Sequence, residues 1–436
     1  METMIIRKGY KFRLKLRHGD KQQFTQFAGC CRFVWNKALA VQDGLFQNEN
    51  EKILPKTKLM NLLPEWKQEH NFLKEAHSQI LQQSLIDLDR AYQGFFRRLK
   101  NGEDPGYPRF KKKFVHDSFR FPQGFRLENR HVYLPKLGWF RFYKSREIEG
   151  TPKNVTVSRD GSHWNISVQV EVEIPDSCPV REPSAGLDMG IARFYTCSDG
   201  SFAEPLSAFK VLEKNLAREQ RKLSRKRKFS QNWKKQKAKV AQVHRKIRDS
   251  RLDYLHKHST ALSLAYAVVY AEDLQVRNMS RSARGTREEP GKNVRAKSGL
   301  NKAILDQGWS EFMRQLGYKL SWRGGELIKV PAWYTSQKCS RCGHISKNNR
   351  KSQSRLECEA CGLSIHADLN AAINIHTLGQ RGMNPVECCT AASPGGEINR
   401  VNACGDEGLP SPVKQEPPGT GDKVPVSTLQ SGIPFL

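Results

Sequence analysis

Three acidic residues stand where a carboxylate could bind a cation. Asp188 lies inside a run that predicts a buried strand, Glu272 follows the apolar run VVYA, and Asp368 lies on a short predicted helix. An isolated carboxylate in a buried strand would cost several kcal/mol of desolvation, or would stay protonated, unless something compensates it. Taken singly, the three have ordinary explanations, as a core acid, a turn residue and a helix cap.

Together the three carboxylates favour a catalytic explanation. Two strand ends and an adjoining helix, brought together in an α/β domain, would form an anionic pocket that requires cations. Two Mg²⁺ ions about 4 Å apart, or Mn²⁺ in their place, would neutralise the pocket, activate a water and stabilise both oxygens of an in-line phosphodiester displacement. The sequence therefore predicts that Asp188 faces metal.

Two CxxC pairs predict a zinc site. Fifteen residues separate Cys339 and Cys342 from Cys358 and Cys361, a spacing that lets four thiolates surround one Zn²⁺ tetrahedrally. Because sulfur fills all four positions, no place remains for a water, and the zinc is expected to be structural. Unrelated buried cysteines are the alternative. The other cysteines follow no disulfide framework, which suits a reducing compartment.

The charge of the chain points to a polyanionic partner. The 73 Lys and Arg residues exceed the 44 Asp and Glu residues by 29, and aromatic residues alternate with the basic ones, which favours nucleic acid. A membrane surface is the competing partner. However, no apolar stretch approaches the roughly 18 residues of a transmembrane helix, and the N-terminal residues lack the apolar core of a signal peptide. We expect a soluble, cytoplasmic protein without a membrane partner.

Two basic segments are candidates for contact with phosphates. The run from Arg221 to Lys239 contains Phe229 and Trp233. It could be a solvated helix face, but its charge density favours a groove that neutralises phosphates without reading sequence. In GYPRFKKK, residues 106–113, the aromatic residues could stack on bases or fill a core. The candidate contacts are Arg109, Lys111, Lys112, Arg225, Arg227, Lys234 and Lys235.

The period of the apolar residues changes along the N-terminal half. Residues 5–16 predict a basic, half-exposed strand, residues 19–100 predict amphipathic helices, and residues 117–174 predict strands, including a hairpin joined at Asp160-Gly161. The strand segments before and after the helices are expected to join in one barrel-like β domain with the helices inserted.

After a linker over 175–184, strands and helices alternate as in an α/β domain. Residues 206–258 predict one long, basic helical stretch, and residues 301–325 predict a helix closed by glycine. The tail after about residue 379 is rich in proline and is expected to be disordered.

These motifs, in this order, resemble a known family. GLDMGIARFYTCSDG, VVYAEDL, the two CxxC pairs and HADLNAAINI are arranged as in the TnpB (OrfB) family. The family comprises RNA-guided DNA endonucleases that are encoded by insertion sequences and related to type V CRISPR effectors. CCRFVWNKAL, GYPRFKKK and LPKLGW also match its recurring segments, and the resemblance covers about residues 5–378. Many relatives carry Asp-Arg-Asp where this chain has His-Ala-Asp, but Asp368 is retained, so activity is still expected.

The resemblance implies a multidomain α+β fold and a role for each acid. Asp188, Glu272 and Asp368 would be the metal-binding triad of a RuvC-like site. The implied domains are a wedge-like β-barrel (1–18 and 101–180), a helical recognition lobe (19–100), a ribonuclease-H-like, RuvC-like α/β nuclease domain (181–335 and 364–378), an inserted zinc ribbon (336–363) and a disordered tail (379–436).

The function that the resemblance implies is RNA-guided DNA cleavage. A monomer on one guide noncoding RNA from its mobile element would read a short target-adjacent motif and cut double-stranded target DNA, associated with the nucleoid of a prokaryote. A DNA transposase with a ribonuclease-H-like strand-transfer core and a non-cleaving RNA-guided regulator are the alternatives. The chain has no HExxH or GxSxG motif and no complete phosphate-binding loop, so a serine hydrolase or an ATP-driven motor lacks support.

Overall fold

The computed structural model describes residues 3–47, 53–115, 117–175 and 182–381. Two β-sheets, helices packed against them and a short two-stranded ribbon organise this part of the chain. The fold is therefore mixed α/β. The predicted tail from residue 382 onward and the predicted linker over 176–181 lie outside the described residues. Within the described ranges, no helix is both long and apolar enough to cross a membrane.

Seven antiparallel strands form the first sheet. Its strands are β1 (Thr3–Lys15), β2 (Ser118–Phe121), β3 (Arg126–Glu128), β4 (His131–Leu134), β5 (Gly138–Tyr143), β6 (Thr151–Asp160) and β7 (His163–Pro175). Their order is β2-β6-β7-β1-β5-β4-β3. Strand β1 lies at the centre, paired with β7 from Thr3 to Arg13 and with β5 from Arg13 to Lys15. The chain segments on both sides of the inserted helices therefore share one sheet.

This sheet is curled and open, and it does not close into the predicted barrel. In the described part, the edge strands β2 and β3 are not paired with each other. The helices α1 (His18–Gln47) and α4 (Ser78–Lys100) pack against it instead. The ring of Phe24 on α1 meets those of Phe119, Phe140 and Trp164 edge-on. Because helices bury the apolar face, strand closure is not needed to remove it from water.

The predicted hairpin is present as β6 and β7, with its turn one residue later than expected. Asp160 pairs with His163, so Gly161 and Ser162 form the loop. Gly161 has a φ of +60°, a conformation that two-residue hairpin loops require and glycine adopts freely. Two short helices, α2 (Lys56–Asn61) and α3 (Leu63–Glu69), lie between α1 and α4 in the chain.

Five strands form the second sheet. They are β8 (Ser184–Asp188), β9 (Tyr195–Cys197), β10 (Phe202–Ala203), β11 (Val268–Glu272) and β12 (Glu326–Val330), in the order β10-β9-β8-β11-β12. Strands β8, β11 and β12 are parallel, whereas β9 and β10 are antiparallel to their neighbours. Burial on both faces explains the uninterrupted apolar sequences of β8 and β11. The carboxyl ends of the three parallel strands meet at one edge.

The basic helical stretch predicted over 206–258 consists of two helices. α5 (Ala208–Ser224) and α6 (Gln231–Ala265) form a helical hairpin. The break lies at Phe229, whose φ is +68°, and at Ser230, whose side chain accepts a hydrogen bond from the backbone N–H of Trp233 as an N-cap. The sequence does not show this break plainly, because the Lys and Arg residues around it are good helix formers.

The helix predicted over 301–325 is also interrupted. α8 (Val294–Gln307) and α9 (Trp309–Ser321) meet at Gly308, whose φ of +71° is a left-handed conformation that ends a helix. The remaining elements are α7 (Val276–Met279), the ribbon strands β13 (Arg355–Glu357) and β14 (Ser364–His366), and α10 (Ala367–Arg381). Helix α10 runs past residue 379, so the first residues assigned to the disordered tail are helical.

Candidate active site

Asp188 and Glu272 are the last residues of neighbouring parallel strands. Strands β8 and β11 are in register at Leu187 and Ala271, so the residues that follow, Asp188 and Glu272, leave the sheet side by side. Ligand sites in open α/β sheets form at this carboxyl edge of the strands. The order of the strands thus explains why two acids far apart in sequence lie together.

Asp368 reaches this edge from helix α10, which packs directly across β8. Gly186 permits the close packing, because a Cβ atom there would lie 2.2 Å from the carbonyl oxygen of Ala372. Asp368 is in the first turn of α10, and its side chain is 19% exposed. Its backbone N–H donates a hydrogen bond to His366 Nδ1 at 3.3 Å. The start of α10 is therefore fixed beside the strand that carries Asp188.

The three carboxylates repel one another. Burial, and then the negative charges of Glu272 and Asp368, raise the pKa of Asp188 to about 7, and the positive charge of Arg350 opposes them. Burial also raises the pKa of Glu272, while a hydrogen bond from Thr335 lowers it. Carboxylates with raised pKa values lack compensating positive charge. A bound cation would supply it.

The donor atoms of this site suit hard divalent cations. Carboxylate oxygens are the ligands that Mg²⁺ and Mn²⁺ prefer. Within the described ranges, the four cysteines are the only group of three or more Cys, His, Asp or Glu side chains whose donor atoms all lie within 4.8 Å of one another. The three acids are therefore spread more widely than the ligands of one closed site.

The four cysteines fit a structural zinc ion. Cys339 Sγ lies 3.7 Å from Cys361 Sγ, and Cys342 Sγ lies 3.5 Å from Cys358 Sγ. Thiolates bound at about 2.3 Å to one zinc would be ~3.8 Å apart. Burial raises the pKa of the Cys358 thiol, but hydrogen bonds from the backbone N–H groups of Cys361 and Ala360 lower it to about 6. These bonds favour the thiolate, which is the form that binds zinc.

Side chains that the sequence analysis did not single out connect the cysteine cluster to the acids. The Thr335 hydroxyl donates a hydrogen bond to Glu272 Oε1. Asn374 Nδ2 donates to the carbonyl groups of Thr335 and Lys338, and Asn370 Nδ2 donates to Lys338 as well. Both asparagines are buried. Their spacing of four in the apolar run LNAAINI was the available signal, because residues i and i+4 share a helix face.

The predicted phosphate contacts lie in two segments of the chain, residues 109–112 and residues 225–235. Six of them are exposed, namely Arg109, Lys112, Arg225, Arg227, Lys234 and Lys235. Lys111 is the exception. Its ammonium lies 3.7 Å from the ring centre of Trp35, its backbone is held by Asn36, and burial lowers its pKa. Lys111 therefore has a structural partner within the protein.

A cleft of about 860 Å³ lies between the first sheet and the α5–α6 hairpin. Five Lys and Arg residues line it against three acids, and of the acids Asp160 and Glu219 contact Arg245 and Lys222 respectively. The basic excess suits a phosphate backbone. Arg13 of β1 belongs to this cleft. The sequence could not indicate this, because Arg13 meets α6 only in the folded chain.

Comparison with known proteins identifies the family. The chain is 50% identical over 377 residues to InsQ of Escherichia coli (strain K12), which is named an RNA-guided DNA endonuclease, and the match covers 84% of this chain and 92% of InsQ. The chain belongs to the TnpB (OrfB) family. A second relative, from Streptomyces pristinaespiralis and also named an RNA-guided DNA endonuclease, is 31% identical over 421 residues, covering 94% of this chain and 96% of the relative.

Three family models match separate parts of the chain. Residues 167–283 match IS605 OrfB, described as a probable transposase, and residues 309–375 match the Cas12f1-like, TNB domain. Residues 4–51 match a model described as a helix-turn-helix domain. The described part of that segment is strand β1 followed by the single long helix α1, so its local structure differs from two helices joined by a turn.

The fold of the chain also resembles that of a solved CRISPR effector. The Cas12f1–sgRNA–target DNA complex aligns with a TM-score of 0.54 at 15% sequence identity, covering 85% of this chain and 99% of the effector chain. At this identity the likeness concerns the fold alone. It supports the mixed α/β organisation.

Proposed function

We propose that this chain is the RNA-guided DNA endonuclease of a transposable element and hydrolyses DNA phosphodiester bonds at a single RuvC-like site. The placement of Asp188 and Glu272 at the ends of adjacent parallel strands, with Asp368 on a helix packed across them, carries the proposal. The family relationship favours the same activity, since the relatives at 50% and 31% identity are named for it.

The three carboxylates would hold two divalent cations, Mg²⁺ or Mn²⁺, which when bound activate a water and stabilise the oxygens of an in-line displacement. Neighbouring side chains of the protein hold the acidic residues in place. Thr335 orients the carboxylate of Glu272. Lys329 binds the neighbouring Asp273 at 2.7 Å, which keeps that acid paired away from the cations. Burial at the sheet edge strengthens every charge interaction there.

A guide noncoding RNA from the mobile element would supply sequence specificity by pairing with the target strand of double-stranded DNA, beside a short target-adjacent motif. The net charge of +29 and the basic cleft beside α5 and α6 support contacts with phosphates. We assign the role of the wedge domain to the first sheet, that of the recognition lobe to α1–α4 and that of the RuvC-like nuclease domain to the second sheet. One zinc ion would have a structural role. One protein chain would bind each RNA.

Cleavage by the protein purified with its own RNA tests the proposal. Co-expression with the native downstream flank of the gene should yield one discrete RNA with a variable 3′ segment. A plasmid carrying the matching sequence should then be cut in Mg²⁺. Asp188→Asn removes one anionic ligand at nearly constant size and should abolish cleavage, while the bound RNA is retained.

The matched control is Asp253→Asn. Asp253 is an exposed acid of α6 that is paired with Lys257, and its variant should cleave like the wild type. Cleavage that survives Asp188→Asn would contradict the site. Heterogeneous nucleic acid that high salt removes would contradict the guided mechanism, and joined DNA strands as products would identify a transposase.

A further inference from the structure

The segment between β12 and the zinc ribbon presents two adjacent aromatic side chains to solvent. Trp333 is 79% exposed and Tyr334 is 61% exposed, and Trp333 is the most exposed of the large hydrophobic residues in the described ranges. Single exposed apolar residues are common on protein surfaces, but a contiguous exposed aromatic pair indicates a binding surface.

This pair lies beside the candidate active site. Strand β12 is parallel to β11, and Val330 is in register with Glu272. Residues 331–334 therefore leave the sheet at the same carboxyl edge as the acids. The next residue, Thr335, donates its hydrogen bond to Glu272. Trp333 is thus two residues away from a side chain that touches the acidic site.

The turn that carries the pair is held in an unfavourable backbone conformation. Tyr334 has a φ of +58°, which is rare for a bulky residue and persists only when the surroundings enforce it. The backbone N–H groups of Gln337 and Lys338 both donate to the Tyr334 carbonyl. Asn374 binds the carbonyl groups on either side of this turn, at Thr335 and Lys338. The aromatic pair is therefore presented by a fixed support.

The segment that carries the pair contains more basic than acidic residues. Between residues 331 and 366, the basic residues are Lys338, Arg341, Lys347, Arg350, Lys351 and Arg355, and the acidic residues are Glu357 and Glu359. Glu357 is paired with Arg355 at 3.2 Å. Lys351 lies 3.9 Å from Glu359, so the remaining excess of positive charge comes from Lys338, Arg341, Lys347 and Arg350. Exposed aromatic rings in a basic segment are the combination that binds single-stranded nucleic acid, by stacking on bases and neutralising phosphates.

We propose that Trp333 and Tyr334 form a stacking platform for the single DNA strand that enters the active site. The proposal rests on the endonuclease function proposed above and specifies the form of its substrate. An unpaired strand has base faces free to stack, whereas the bases of a duplex are already stacked on one another. Because every base has such a face, the platform positions the strand without reading its sequence.

Fluorescence of 2-aminopurine placed along the displaced strand of the target DNA tests the stacking directly. The experiment uses the complex of the Asp188→Asn protein with its RNA and target, which binds DNA without cutting it. At one or two positions near the cut, the fluorescence should be quenched by stacking on the aromatic pair. The quenching should be lost when Trp333→Ala is added and restored by Trp333→Phe.

Cleavage kinetics supply the second readout. In otherwise wild-type protein, Trp333→Ala should lower the single-turnover cleavage rate roughly 5- to 100-fold, with RNA retention and target unwinding unchanged. An abasic site in place of the stacked base should remove the difference between variant and wild type. Leu305→Ala, which truncates an exposed apolar side chain of α8, is the control and should leave the rate unchanged.

The outcomes separate this proposal from the endonuclease assignment. If Trp333→Ala quenches the fluorescence and cleaves DNA as the wild type does, the platform is overturned. The endonuclease assignment would still stand, provided that cleavage depends on the RNA and on Asp188. A rate loss that the abasic site does not remove, together with a lower melting temperature, would show that the aromatic pair packs against another part of the protein. That result would overturn the platform as well.

Discussion

Glu272 accepts a hydrogen bond from Thr335, so the last residue of β11 is held by the segment that enters the zinc ribbon. Burial raises the pKa of Glu272, and this hydrogen bond lowers it. The bond also restricts the orientation of the carboxylate. The cysteine cluster has no open position for a substrate, yet the segment attached to it shapes the acidic site.

Removal of the Thr335 hydroxyl should impair cleavage without unfolding the chain. Thr335→Val keeps the side-chain shape but takes the donor from a ligand of the proposed metal site. Loss of such a supporting contact costs roughly 10- to 100-fold in activity or metal affinity. Single-turnover cleavage across a Mg²⁺ titration measures both effects. Thr335→Ser restores the donor and should act like the wild type, and full activity of Thr335→Val would show that Glu272 needs no such support.

Removal of the charge on Asp188 should stabilise the magnesium-free protein. The pKa of Asp188 is about 7 in the folded chain and ~3.9 in an unfolded one, so the folded state binds more protons between these values. The stability contributed by this carboxyl group is full below the unfolded pKa and is lost as the pH rises through about 7. At pH 8, Asp188→Asn should therefore exceed the wild type in stability, by at most about 4 kcal/mol.

Thermal unfolding in magnesium-free buffer, with the zinc retained, measures this difference. The gap between Asp188→Asn and the wild type should narrow from pH 8 to pH 5.5. At pH 8, added Mg²⁺ should raise the melting temperature of the wild type more than that of the variant. A variant that is no more stable than the wild type at pH 8 would show that the buried carboxylate is already compensated.

A methyl group at Gly186 should separate α10 from β8. The added Cβ atom would lie 2.2 Å from the carbonyl oxygen of Ala372, so the helix that carries Asp368 must shift. We expect a loss of about 1–3 kcal/mol in stability, together with loss of cleavage. The matched control is Gly299→Ala, where nothing lies within 4 Å and the helix gains up to about 1 kcal/mol. Equal melting temperatures and cleavage rates for both variants would contradict the close packing.

The sequence indicated those parts of the structure that depend on local pattern. Two buried apolar runs that each end in an acid are parallel neighbours, because short apolar strands separated by helices build parallel sheets. The spacing of the four cysteines predicted a cluster that the sulfur distances fit. Both features follow from residues that lie close together in the chain or from the general rule that parallel strands end at one edge.

The contacts between elements could not be predicted in this way. Thr335 and Glu272 are 63 residues apart, and only the register of β12 with β11 brings them together. The break at Phe229 requires a backbone conformation that no local propensity favours. The predicted closed barrel was wrong because it also depends on contacts between elements. The alternation of apolar and polar residues within each strand shows that one face is buried. It does not show whether other strands or helices cover that face.

Asn374 of helix α10 should couple the folding of the zinc ribbon to the geometry of the acidic site. Asn374→Ala would leave the buried Thr335 carbonyl without its donor, at a cost of about 1–3 kcal/mol, whereas the Lys338 carbonyl would keep the hydrogen bond from Asn370. We expect cleavage to fall while one zinc per chain remains bound. Cys358→Ser should lose both, because one of four thiolates is missing. Elemental analysis and cleavage of the same preparations measure the two quantities.

Comparison of Asn374→Ala with Cys358→Ser separates the binding of zinc from its effect on cleavage. If the zinc acts only by holding the ribbon against α10, then Asn374→Ala, with its zinc, and Cys358→Ser, without it, should share the same cleavage defect. The exposed Asn348 of the same ribbon is the control, and Asn348→Ala should keep both zinc and activity. Full cleavage by Cys358→Ser after zinc loss would mean that Thr335 reaches Glu272 without the metal.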